Sequence, residues 1–77
     1  MQTGELVKTF TFADFKAALK FVNRVGKLAE QAGHHPDIFL HNYKNVKLSL
    51  QTHERKAVTH KDFALAKQIN SLIRVRT

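Results

Sequence analysis

The residues with most chemistry to offer in this chain are its histidines, five in 77 residues. His34 and His35 are adjacent in "GHHPD", between a glycine and the only proline, and His53 stands in "QTHE". Imidazoles titrate near pH 6.5, so a group of them can take and return protons at neutral pH. Two carboxylates are placed to assist: Glu30, one helical turn before His34, and Asp62 in "THKD". If a helix end and a strand end meet at one edge of a sandwich, His34, His35 and His53 line one cleft as an acid/base site. Three imidazoles can also hold zinc with an open position. Adjacent residues of an extended segment point to opposite sides, however, which makes joint ligation by His34 and His35 awkward. The plainest alternative is a cap or a solvated ring at a helix C-terminus, where a cation gains about 0.3–1 kcal/mol. That reading comes first for His41 and His60.

The elements that must position these groups are legible from hydrophobic period. "ELVKTFT", residues 5–11, reads as a short strand with a poor face assignment. "TFADFKAALKFVNRVGKLAEQAG" has a helical period, with Phe12, Phe15, Ala18, Leu19, Val22, Val25, Leu28 and Ala29 on one stripe. Thr11 and Asp14 resemble a capping box at its start; Gly33 supplies a left-handed stop and Pro36 forbids continuation. Gly26, mid-helix, predicts a close approach by another backbone. After Pro36 the period becomes two: Ile38 and Leu40, a turn at "YKN", then Val46, Leu48 and Leu50 give a hairpin with one apolar face. The loop "THERKAV" leads to a last helix, with Thr59 and Asp62 as a second approximate capping box and Phe63, Ala66, Ile69 and Ile73, flanked by Leu65 and Leu72, as its buried stripe. The order β-α-β-β-α predicts an α+β fold, two helices on one face of an antiparallel sheet.

Composition bounds the rest. The length allows one domain of marginal stability, and the absence of cysteine removes disulfides and thiolate zinc sites, so self-association is expected. Hydrophobic residues at 43% and charged ones at 25% are ordinary for a globular protein. No apolar run approaches the ~20 residues that span a bilayer, and the start has no signal-peptide core. The expected location is the cytoplasm, or the nucleus as well, with no membrane partner. A net charge of +7 raises nucleic acid as a partner, although the cations are scattered and a solvated basic surface is the plainer explanation. The aromatics fall mostly at core period, whereas an RNA-stacking face would need several exposed on strands. Phosphate loops, nucleophile elbows and H-E-x-x-H are absent.

Taken together, "EQAGHHPDI", "YKNVKLSLQTHE" and "VTHKDFALAKQIN" resemble the pterin-4a-carbinolamine dehydratases over about residues 10–70. The matching residues are Glu30, His34, His35 and Pro36, then Tyr43 and Val46, Thr52 and His53, Thr59 and Asp62, Leu65 and Ala66. The resemblance implies removal of water from a 4a-hydroxytetrahydropterin to give quinonoid dihydropterin, without metal or organic cofactor, in tetrahydrobiopterin recycling. It maps the catalytic histidines onto His34, His35 and His53. His34 and His53 are expected as the acid/base pair and His35 as the group that orients the pterin. Pro36, Thr52, Glu54 and Asp62 are expected to contact the substrate. Glu30 is expected behind the imidazoles, a role Asp62 can share by fixing a tautomer.

The resemblance further implies a homodimer or homotetramer. A transcription-factor partner follows only by analogy with animal members. Members usually carry a further helix and strand before the point where this chain begins, giving three helices, so residues 1–77 are expected to form a single domain lacking that portion. The segment from Pro36 to Val46 is longer than the family pattern by a residue, which predicts a β-bulge around Leu40–Tyr43. Ile38 replaces a common aromatic, Ala57 a common glycine, and "ERK" makes its loop basic. The alternative to an enzyme is a dimerisation module or a basic module that binds protein or nucleic acid.

Overall fold

The structure is a computed structural model that describes residues 2–3, 5–51 and 57–72. Its elements are β1 (Gln2–Thr3), β2 (Leu6–Thr11), α1 (Phe15–Ala32), β3 (Asp37–His41), β4 (Asn45–Leu50), β5 (Ala57–Val58) and α2 (His60–Leu72). The main sheet is antiparallel in the order β2-β4-β3, and β1 pairs with β5 in a separate two-residue ladder. This is the α+β sandwich expected from the period changes. Short pairs such as β1 and β5 carry no periodic signal, so Ala57 and Val58 form a strand where a loop is expected.

β4 is central because it is the strand whose alternation is cleanest. Val46, Leu48 and Leu50 are buried and Lys47 is exposed. It pairs along its length with β2, from Leu6↔Leu50 to Thr11↔Asn45, and with β3, from Asp37↔Ser49 to His41↔Asn45. The β3–β4 ladder has no bulge. The additional residue is absorbed by the turn instead, where Asn42 and Tyr43 both take positive φ, at 50° and 53°. Consecutive left-handed residues match the twist of a hairpin, so the register survives the longer connection.

α1 begins later than its sequence suggests. Asp14 is the N-cap, its Oδ1 accepting from the Ala17 N–H at 2.8 Å, while Thr11 ends β2 and donates its hydroxyl to Asn45. The shorter Asp side chain works as the cap itself and not as the far member of a box. Phe12 therefore precedes the helix, with its ring 4.9 Å from that of Phe21. The buried stripe is Ala18, Phe21, Val25 and Ala29, leaving Phe15 and Leu19 exposed. A Cβ on Gly26 would meet nothing within 4 Å, so the close approach predicted for it is not made by the described residues.

The buried face of α2 is centred on Leu65, a flank of the expected stripe, and leaves Phe63 outside it. Asp62, Leu65 and Ile69 are buried, Ala66 is half-buried and Phe63 is exposed. Ile73 lies outside the described residues. Of the six phenylalanines, Phe15, Phe39 and Phe63 are exposed, against the expectation that most would be core. No described helix is long and apolar enough to cross a membrane.

Candidate active site

The end of α1 fixes the backbone of the histidine pair. Gly33 takes φ 63°, its N–H bonds the Glu30 carbonyl, and the His34 N–H reaches back to the Ala29 carbonyl at 3.2 Å. This is the Schellman arrangement, with Gly33 as the left-handed residue and His34 held by the outer bond. Beyond it Pro36 prevents helix and the chain enters β3. His34 thus has a defined backbone although it lies outside any regular element.

The two imidazoles diverge, as adjacent side chains of extended backbone must. His34 turns inward to α2, where its Nε2 lies 2.5 Å from Asp62 Oδ1. Asp62 is fully buried, and its other oxygen accepts from the Thr59 N–H at 2.8 Å. One carboxylate therefore closes the capping box of α2 and holds the His34 ring, tying the two helices together at this site. His35 turns outward, with Nε2 2.6 Å from Glu30 Oε2, and both side chains are largely exposed. A buried pair with further hydrogen bonds is rigid, whereas an exposed one is screened by water and contributes little to stability.

The protonation pattern follows from the partners. A carboxylate accepts, so each imidazole donates from Nε2 and keeps Nδ1 for something else. Two rings with one nitrogen engaged and the other available can act as proton acceptors, or as donors when protonated.

A cleft of about 220 Å³ adjoins the half-buried His34 ring, with His60, Lys61, Leu65 and Gln68 among its other lining. His60 was expected as a cap or solvated ring and Lys61 as one of the scattered surface cations. Both are exposed, yet both lie on the face of α2 turned to the end of α1. The spacing 60, 61, 64, 65, 68 was available as a signal once α2 had the right rotation. His41 lies away from this cleft, stacked on Phe39 with centroids 4.8 Å apart.

Pro36 is half-buried beside the pair. Thr52, His53 and Glu54 lie outside the described residues, so the structure brings together His34, His35, Glu30 and Asp62 from the expected set. Among the described residues no three His, Asp or Glu side chains are gathered as metal ligands.

Comparison with known proteins gives a consistent picture. The family model for pterin 4 alpha carbinolamine dehydratase matches residues 1–72. A Chloroflexus aurantiacus protein provisionally named pterin-4-alpha-carbinolamine dehydratase is 48% identical over 73 residues, covering 95% of this chain and 77% of the relative. One from Thermomicrobium roseum, named in the same way, is 48% identical over 71 residues, covering 92% and 75%. The crystal structure of a transcriptional coactivator/pterin dehydratase from Brucella melitensis superposes with a TM-score of 0.86 at 30% identity, over 94% of this chain and 76% of that one. A pterin dehydratase-like protein identified as a RuBisCO assembly factor in the alpha-carboxysome shares the fold, with a TM-score of 0.78 at 21% identity, covering 99% and 90%.

Proposed function

The chain belongs to the pterin 4 alpha carbinolamine dehydratase family, and on that premise we propose that it dehydrates a 4a-hydroxytetrahydropterin by histidine acid/base catalysis, in tetrahydrobiopterin recycling. The N5–H and C4a–O bonds break, a C4a=N5 double bond forms, and the proton and hydroxyl leave as water. Hydroxide is a poor leaving group, so an acid must protonate the departing oxygen while a base takes the N5 proton. Positioned side chains in such roles typically contribute about 10²–10⁴-fold each.

The observation that carries this reading is the His34–Asp62 contact. It holds one imidazole rigidly by Nε2 and leaves Nδ1 for a proton in transit. His34 and His53 act as the acid/base pair, and His35, held more loosely by Glu30, orients the pterin. Pro36, Thr52 and Glu54 contact the bicycle. The engagement of both Asp62 oxygens supports a positioning role for that carboxylate over direct contact with substrate. The reaction needs no metal or organic cofactor, because a proton acceptor and a proton donor suffice.

The test is to generate the 4a-hydroxypterin in situ with an aromatic amino acid hydroxylase and follow quinonoid formation with and without the protein. Acceleration that disappears in a folded His53→Ala variant supports the assignment. Full activity in that variant removes His53 from the mechanism.

A further inference from the structure

The exposed face of α1 is charged in a way that nothing in the fold or the dehydration uses. Lys16, Lys20, Arg24 and Lys27 are all exposed and follow one another at intervals of four, four and three residues. That spacing keeps them on one stripe, on the side of the helix away from Ala18, Phe21 and Val25. At 1.5 Å per residue the stripe is about 16 Å long. Among the described residues the ion pairs are His34–Asp62 and His35–Glu30, so none of these four cations is paired with a carboxylate. Like charges at such intervals repel. Apart from the Asp14 cap, the first turn of α1 holds no acidic residue, and Lys16 sits there against the helix dipole. The cations repel one another with no described carboxylate between them, so an anionic surface outside the chain is the natural counterpart.

A second feature lies at the middle of the stripe. Lys20 and Arg24 rim a cleft of about 400 Å³ whose other lining includes Phe12, Phe21 and Leu72. A row of cations beside an apolar, partly aromatic recess matches a polymer with regular phosphates and a flat base that can be turned aside. We propose that this face of α1 binds single-stranded nucleic acid, the backbone along the four cations and a base in the cleft. At the ~3.4 Å stacked spacing of one strand, the stripe covers about five phosphates. A duplex keeps its bases paired and leaves the cleft unused. An acidic protein or an anionic membrane surface meets the cations but does not need the recess. This activity is separate from the dehydration, because none of the four cations belongs to the proposed catalytic set.

The experiment is fluorescence anisotropy of a labelled oligo(dT) with the full chain across a salt series, with a duplex, polyglutamate and phosphatidylserine vesicles as parallel probes. Four phosphate contacts predict a slope of log K against log salt of about −2.8 for a single strand, a loss of about fifty-fold between 50 and 200 mM. Neutralising the central pair with Lys20→Gln and Arg24→Gln should bring the slope to about −1.4 and the loss to about sevenfold. Lys47→Gln, an exposed position on β4, should leave the slope unchanged, and circular dichroism should show all variants folded. Dehydratase turnover should be the same in each. No binding at 50 mM salt overturns the proposal, as does a slope that ignores the double substitution. Equal or tighter binding of duplex, polyglutamate or vesicles overturns it in favour of a general anionic partner.

Discussion

At the scale of single residues, the site turns on how differently two adjacent imidazoles are held. The His34–Asp62 contact is half-buried, with Asp62 fully so and closing the α2 cap, whereas His35–Glu30 is open to water. Replacing the buried carboxylate should therefore cost much more than replacing the exposed one. Asp62→Asn should lower kcat by at least about tenfold with little change in KM, because it disturbs the tautomer and not the pterin contacts. Glu30→Gln should cost less than about threefold. Asp62→Ala should also remove a cap bond worth about 1 kcal/mol, lowering Tm by about 4–8 °C. Steady-state kinetics and thermal melts check both, and equal losses at the two carboxylates would contradict the distinction. The histidines and their carboxylates were legible in sequence as a set, because "GHHPD" must end a helix. Which carboxylate meets which ring was not, since that depends on the rotation of α2, whose buried face takes in the polar Asp62 and leaves Phe63 exposed.

Among the elements, α1 shows most clearly what period reveals and what it misses. Its end was readable because Gly33 and Pro36 each act through local backbone geometry. Its start was not, because Thr11 and Asp14 are both good caps, and the hydrogen bond from Thr11 to Asn45 on β4 decides between them. The hairpin followed the same logic: local spacing predicted an irregularity, and long-range pairing moved it from the strand into the turn. The two glycines of α1 make opposite predictions. Gly33→Ala forces a β-carbon into left-handed backbone and should destabilise by about 1–2 kcal/mol. Gly26→Ala has open space and should stabilise by about 0.8–1 kcal/mol by removing a helix-interior glycine. Chemical denaturation of both variants checks the signs. A loss of stability at Gly26 in the isolated protein would mean that another backbone does approach it.

For the whole molecule, the small core leaves unusual surface. Phe15, Leu19, Ile38, Phe39 and Phe63 are all exposed large apolar residues, and β2 and β3 are the edges of a three-stranded sheet. A domain this small with exposed aromatics and open edges gains from association, so light scattering should give a mass above that of the 8.8 kDa chain. A monomer at tens of micromolar would contradict this. Composition made the expectation of self-association readable, but not which surface serves it, because outward-facing apolar residues look the same in sequence as core ones. The same holds for charge: +7 is plain in composition, while its concentration along one face of α1 emerges only when the helix has a fixed rotation. In the proposed mechanism the rigidly held His34 moves a proton together with His53 as water leaves C4a, while the loosely held His35 orients the pterin. The most direct test is the rate of quinonoid dihydropterin formation from in situ 4a-hydroxytetrahydropterin, compared between the unmodified protein, His34→Gln and His35→Gln. The account predicts acceleration by the unmodified protein, a fall in kcat of about 10²-fold or more in His34→Gln, and a smaller loss, mainly in KM, in His35→Gln. A folded His34→Gln with undiminished kcat would contradict it.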